Sequence, residues 1–181
     1  MLKRSTLAIA AVLLLLPMVL FAAPRFGAGA RIDAASGGFE FRFWIPTQSG
    51  ANAFIAPQAI GIYTASSSSD YYFYNFGLRG GLMFRPQNWI SPLVGVGVGY
   101  GSNDGDYSHL GVRAFVGISV APFQYSAKEI GWLSGLAGLR FEFDTGILYR
   151  VDTYSQHFGT FEDSDHLIWL PDAGAGFVFS W

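Results

Sequence analysis

Cysteine is absent from all 181 residues, so no disulfide, thiolate metal site or cysteine nucleophile is open to this chain. Without staples, an exported fold must rest on its own hydrogen-bonded framework. Charge is scarce as well. Asp, Glu, Lys and Arg supply 13% of the residues, about half of the ~25% usual in soluble domains. Past the first few residues Lys128 is the only lysine; Arg25, Arg31, Arg42, Arg79, Arg85, Arg113, Arg140 and Arg150 carry the remaining positive charge. A formal net charge of −2, with no basic stripe and no RNA-binding aromatic motif, argues against nucleic acid as a partner. Long hydrophobic runs are missing too. The chain is 51% apolar and 17% aromatic, yet beyond residue 24 nothing approaches the roughly 20 apolar residues of a membrane helix. High apolarity, low charge and no long run leave a membrane β-barrel, in which only every second residue meets lipid.

The N-terminal stretch has the form of a secretory signal peptide. Lys3 and Arg4 form its basic region, Leu7 to Phe21 are apolar apart from Pro17, and Ala22 and Ala23 supply the small residues of a cleavage site. Cleavage after Ala22 is preferred, because a cut after Ala23 would leave Pro24 directly beyond it. Residues 1–22 are therefore read as signal peptide and 23–181 as one barrel domain. A retained helix is the alternative, but the run is short and Pro17 interrupts it. With no cysteine after it, the segment cannot be a lipoprotein leader.

Period-two alternation recurs along the rest of the chain and marks strands. It is plainest over 93–100, where Val94, Val96, Val98 and Tyr100 face one way and Gly95, Gly97 and Gly99 the other. Glycine weakens an ordinary strand; inside a narrow barrel it makes room for bulky groups from across the lumen. Alternating runs also cover 25–33, 39–45, 53–63, 72–85, 110–120, 132–143, 147–152 and 168–181. Nine strands break the even-number rule of bacterial single-chain barrels. Either 25–33 is not a full crossing and eight remain, or a hairpin at Leu170-Pro171-Asp172-Ala173-Gly174 makes ten; eight is favoured. Arg85–Trp89 and Asp144-Thr145-Gly146 read as tight turns. The stretches 65–70, 102–106 and 155–165 read as longer acidic loops of the cell-surface kind. Trp44, Tyr71, Tyr72, Trp89, Trp132, Trp169 and Trp181 lie near strand ends, where interfacial girdles form. A soluble β-sandwich also uses alternating aromatics, but it accounts for neither the low charge nor a final strand, Phe177-x-Phe179-x-Trp181, that ends on an aromatic.

The segment Ser91-Pro92-Leu93-Val94-Gly95-Val96-Gly97-Val98-Gly99-Tyr100 resembles the Pro-apolar-Val-Gly-x-Gly-x-Gly-Tyr strand of the small outer-membrane β-barrel family, which includes OmpX-like proteins and the OmpA membrane domain. The hairpin over 26–45 and the terminal Phe-x-Trp are similar too. Two departures stand out: the run 110–120 lacks a clear counterpart, and Trp181 replaces the usual terminal Phe. The resemblance implies the outer membrane of a Gram-negative cell, and insertion by the barrel-assembly machinery reading Phe177, Phe179 and Trp181. It implies no particular activity, because function varies among proteins that share a fold.

Charges project onto the inward phase of their strands. Arg31, Glu40, Arg42, Arg79, Arg113, Arg140, Glu142, Arg150 and Asp152 are expected to form a lumen charge network, since a charge on the lipid face costs about 2–4 kcal/mol near the midplane. An eight-stranded lumen is only just wide enough for side chains, so a salt-bridged plug is the first reading. The second is a small passive pore, weakly anion-favouring because arginines outnumber carboxylates in that set. A third is a lipid A-modifying enzyme. His109, His157 and His166, with Ser108, Ser155, Asp106, Asp163 and Asp165, show no nucleophile–base spacing, and no His-x-Ser-Asn motif is present. No catalytic, cofactor-binding or metal residues are assigned, and no enzyme activity is expected. The expected partners are outer-membrane lipid, the assembly machinery, and a surface ligand met through loops in which Tyr154, Phe158 and Phe161 cluster.

Overall fold

Alternate side chains along each run demand two different surroundings, and a sheet closed on itself supplies both while leaving no open edge across the membrane. The computed structural model describes residues 25–47, 50–65, 70–103, 107–126, 130–155 and 162–181, and the stretch 1–22, read from the sequence as a signal peptide, lies outside them. Eight antiparallel strands close into a barrel in chain order. They are β1 (Arg25–Ile32), β2 (Gly37–Pro46), β3 (Ala51–Ala65), β4 (Asp70–Phe84), β5 (Ile90–Asn103), β6 (Tyr107–Val120), β7 (Leu139–Ser155) and β8 (Glu162–Ser180). The ring closes where β8 pairs with β1, from Gly27 opposite Ser180 to Ile32 opposite Ala175. The fold is a transmembrane β-barrel of the favoured strand count.

Eight arises by neither route expected from the sequence. The run 25–33 is a strand in full, β1. The run 132–143 is a strand only from Leu139 on, Gly131–Leu136 being a 3-10 helix, and this part merges with 147–152: β7 passes straight through Asp144-Thr145-Gly146, pairing Asp144 with Gly117 on one side and Gly174 on the other. These turn-forming residues are present for other reasons. Asp144 points inward to ion pairs, and at Gly146 a Cβ would strike the Ala114 backbone. Nor is there a hairpin at Leu170–Gly174. β8 runs on through Pro171, where a β-bulge sets Leu170 and Pro171 against the single residue Ile147. Bulges are among the few sheet positions that tolerate a proline. The run 110–120, without a counterpart in the resemblance, is an ordinary full strand, β6.

With this count each connection falls at one of two ends, although the longest lies opposite the three stretches expected to be longer loops. The ends of β3, β5 and β7 and the starts of β4, β6 and β8 share one end of the barrel with the short β1–β2 turn; call it the outer end. The other end carries the start of β1, the end of β8, the 85–89 turn and the longest connection, 121–138, which holds a 3-10 helix at Gly131–Leu136.

The exterior is apolar throughout the span. Phe39, Phe41, Phe76, Val96, Val116, Phe143 and Ile147 all stand exposed, and Phe39 reaches 68%. Among the described side chains, no Asp, Glu, Lys or Arg occupies an outward position between the strand ends. Tyr63, Tyr71, Tyr72, Tyr100 and Tyr154 are exposed toward the outer end, and Trp89 and Trp181 at the other, as belts at the two membrane surfaces require. Trp44 departs from the girdle expected for it. It points inward, 4% exposed, and donates its Nε1–H to Ser180 Oγ at 3.2 Å. The side chains of Trp132 and Trp169 lie outside the description.

Candidate functional site

The lumen gathers nearly all the charge that the exterior excludes, in layers along the barrel axis. The central layer holds Arg31, Arg42, Arg79 and Arg113, each at most 3% exposed. Arg42 on β2 grips two glutamates at once: its Nε donates to Glu40 Oε1 at 2.7 Å and its Nη2 to Glu142 Oε2 at 2.9 Å. Arg79 on β4 reaches Glu40 Oε2 at 3.3 Å and Asp144 Oδ2 at 3.2 Å. Arg31 pairs with Asp33 at 3.1 Å and also with Asp144. Arg113 on β6 lies 2.6 Å from Asp144 Oδ1 and also meets Asp172. Gln58 extends the layer by donating to Glu40 Oε2 at 2.8 Å. Planar guanidinium groups suit such crowding, since each presents a fixed fork of donors to several carboxylates.

The residues expected in one network do not all meet. Arg31, Glu40, Arg42, Arg79, Arg113 and Glu142 do form the central layer. Arg150 and Asp152 stand apart near the outer end, paired at 2.6 Å, with Tyr107 OH donating to Asp152 Oδ1 at 3.0 Å. Arg140 stands apart at the other end and touches no carboxylate among the described residues. Sequence reasoning missed Asp33, Asp144 and Asp172. Asp144 was hidden in an apparent turn and Asp172 in an apparent hairpin, although both fall on the inward phase of their strands. Their addition removes the excess of positive charge: the central layer sets four arginines against Asp33, Glu40, Glu142, Asp144 and Asp172. The anion preference expected for a pore therefore loses its basis.

Above this layer the β1–β2 turn folds into the barrel. Ala35 and Ser36 are 2% and 3% exposed. Asp33 holds the turn in shape, its Oδ1 accepting the Ala35 and Ser36 backbone N–H groups at 3.1 and 2.8 Å while its Oδ2 joins the ion layer. Ser36 Oγ donates to Gln58 Oε1 at 2.6 Å. Room comes from glycine: a Cβ on Gly77 would lie 2.6 Å from that of Ser36, and one on Gly99 or Gly111 would press on Ala35. Glycines on the inner wall thus admit a backbone turn as well as side chains. Below the layer, Trp44, Phe54, Ala56, Met83, Leu93, Phe115 and Val178 pack into an apolar disc. Arg42 lies 4.6 Å over the Phe54 ring and Arg79 4.4 Å over Phe115, so the disc also seats the cations.

Chemistry of other kinds finds little footing among the described residues. No group of three or more His, Asp or Glu side chains is placed to hold a metal. His109 is buried against Gly101, beside Tyr107, and its Nδ1 has no hydrogen-bond partner. Ser108 and Thr153 pair at the same level of the sheet, but no hydroxyl hydrogen-bonds to that Nδ1. His157, Phe158 and Phe161, and the side chains of Ser155, Asp163, Asp165 and His166, lie outside the description.

A closed ring of eight antiparallel strands, apolar outside and charge-filled inside, defines the class of small transmembrane β-barrels, as the sequence resemblance implied. No protein-family model and no curated protein matches the chain. Solved structures similar to it are outer-membrane proteins. A major outer membrane protein from Thermus thermophilus is 11% identical, with 88% of this chain and 100% of that one covered and a TM-score of 0.42. Ail, the attachment invasion locus protein of Yersinia pestis, is 12% identical over 87% and 95% of the two chains, with a TM-score of 0.39. Neisserial surface protein A is 15% identical over 87% and 94%, with a TM-score of 0.34. The likeness is one of architecture.

Proposed function

We propose that this is an exported, integral outer-membrane protein whose lumen is closed and whose work is structural and interactive at its outer end. The observation that carries the reading is the three-fold filling of the lumen by a tucked turn, an ion-paired layer and an apolar disc. In a barrel this narrow such filling leaves no water path. Acyl chains then solvate the exterior, and Phe177, Phe179 and Trp181 at the end of the chain serve as the signal to the assembly machinery.

The outer end offers more than loops. β2 pairs with β3 only as far as Phe39 opposite Ala59, so Ile60–Ala65 of β3 are paired on the β4 side alone. This edge carries no charge and no proline, and Ile62 and Tyr63 beside it are exposed. An unblunted edge is a template for an added strand, which supports a protein ligand as the surface partner.

Planar-bilayer recording of the mature protein tests the closed lumen: silence is expected, and discrete conductance steps would favour the pore. Orientation is tested in intact cells. Because the chain has no cysteine, single Ser67→Cys and Gln87→Cys variants can be compared with an impermeant maleimide, and labelling of S67C alone is expected.

A further inference from the structure

At the end where β1 starts and β8 ends, below the apolar disc, the lumen opens as a cup of about 400 Å³. Arg140 projects into it from β7. Unlike the arginines of the central layer, it meets only neutral groups. Its Nη1 lies 3.3 Å from Ser91 Oγ, 3.5 Å from Ser119 Oγ and 3.8 Å from Met83 Sδ. Its Nη2 donates to the Pro86 carbonyl and, at 3.4 Å, to Gln124 Oε1. These contacts orient the guanidinium without balancing its charge. Glu142, two residues along the same strand, is engaged with Arg42. Among the described residues Arg25 lines the same cup and forms no ion pair, and no Asp or Glu side chain lines it. Trp44 and Met83 provide apolar wall.

Two positive charges that no described acidic side chain meets in the cup, held in a concave site with an indole wall, select an anion that has an apolar body. A half-buried cation gains most from a partner that can meet it directly, and the volume falls in the ~300–1,000 Å³ range of small-ligand pockets. We propose that this cup binds a small organic carboxylate: the guanidinium charge of Arg140 draws the carboxylate, Arg25 adds charge at the mouth, and Trp44 and Met83 cover the apolar part. The disc and the Arg42–Glu142 pair close the cup inward. A ligand therefore enters and leaves by the same mouth, and the site is a receptor pocket, not a passage.

Mature protein in dodecyl maltoside, labelled with ¹⁵N-arginine, tests this with benzoate, benzyl alcohol and inorganic phosphate as probes. The Nε–H resonance of Arg140, assigned by its loss in Arg140→Gln, is expected to shift saturably with benzoate. Benzyl alcohol should give no saturation and phosphate weaker binding. R140Q, followed by tryptophan fluorescence, is expected to bind benzoate about tenfold more weakly, the loss of one charge-assisted contact. Should R140Q fail to give the heat-modifiable barrel band, Arg25→Gln at the mouth is the second variant, expected to weaken binding about threefold. The proposal is overturned if benzoate does not saturate, if benzyl alcohol binds as well, if phosphate binds more tightly, or if the folded variants bind benzoate like the parent.

Discussion

Asp144 Oδ2 lies 3.2 Å from Nη2 of Arg79 and also accepts from Nη2 of Arg31. One carboxylate on β7 thereby ties β4 and β1 across the lumen, and its second oxygen lies beside Arg113 of β6. Such a layer is weak grounds for stability as a whole, because taking charges out of water offsets much of their attraction. Removing one partner is another matter, since each of the three buried arginines that Asp144 meets then loses an ion-pair contact with no water to replace it.

Asp144→Ala should therefore destabilise the folded barrel by about 3–5 kcal/mol. Urea titration in detergent, read by the loss of the fast-migrating unboiled gel band, gives the midpoint. A midpoint equal to that of the parent would show that Asp33, Glu40 and Asp172 suffice to hold Arg31, Arg79 and Arg113.

The tucked turn makes a second demand. Gly99→Val places a side chain where the Ala35 backbone lies, so the turn must leave the lumen or the strand must bend. The expected cost is about 1–3 kcal/mol, typical of overpacking. Gly135→Ala, where an added Cβ meets nothing within 4 Å, is the control and should stay within about 0.5 kcal/mol.

A third expectation separates strand from turn. Inserting one alanine between Thr145 and Gly146 reverses the phase of the rest of β7, sending Leu148, Arg150 and Asp152 toward lipid. Assembly into a heat-modifiable barrel should fail. The same insertion between Gln87 and Asn88, in the β4–β5 turn, should be tolerated, as loop insertions generally are.

The continuity of β7 was legible in the residues, but under a stronger local signal. Phe141, Phe143, Thr145, Ile147 and Tyr149 keep one outward phase without a break, whereas Asp-Thr-Gly matches turn chemistry. Turn propensity is local; the placement of Asp144 is decided by arginines on three other strands. The same holds for Asp172 beside Pro171. Alternation exposed the barrel, its apolar exterior and six members of the central layer, because lipid on one face enforces the period directly. It could not separate Arg140 and Arg150 from that layer. Phase places a side chain inside, while its height along the axis depends on the register of neighbouring strands. Trp44 shows the converse error: proximity to a strand end suggested a girdle, although its even-numbered phase, shared with Glu40 and Arg42, already pointed inward. The turn at Asp33–Ser36 gave no sequence signal for tucking inward, since the glycines that receive it lie on β4, β5 and β6.

The lipid face has its own quantitative test. Val96 is 61% exposed near mid-strand on β5, and Val96→Arg should cost about 2–4 kcal/mol if hydrocarbon surrounds it. Unfolding in phospholipid vesicles measures the difference; a change near zero would put water at that position.

The most direct measurement is a spin-label scan along β7. Single cysteines at Phe141, Phe143, Thr145, Ile147 and Tyr149, each labelled with a nitroxide in vesicles, report contact with oxygen dissolved in lipid and with a water-soluble nickel chelate. High oxygen and low nickel accessibility are expected at all five, with no break at Thr145. Strong nickel accessibility at Thr145, or equal exposure to both reagents along the whole series, would contradict a lipid-solvated strand and with it the barrel.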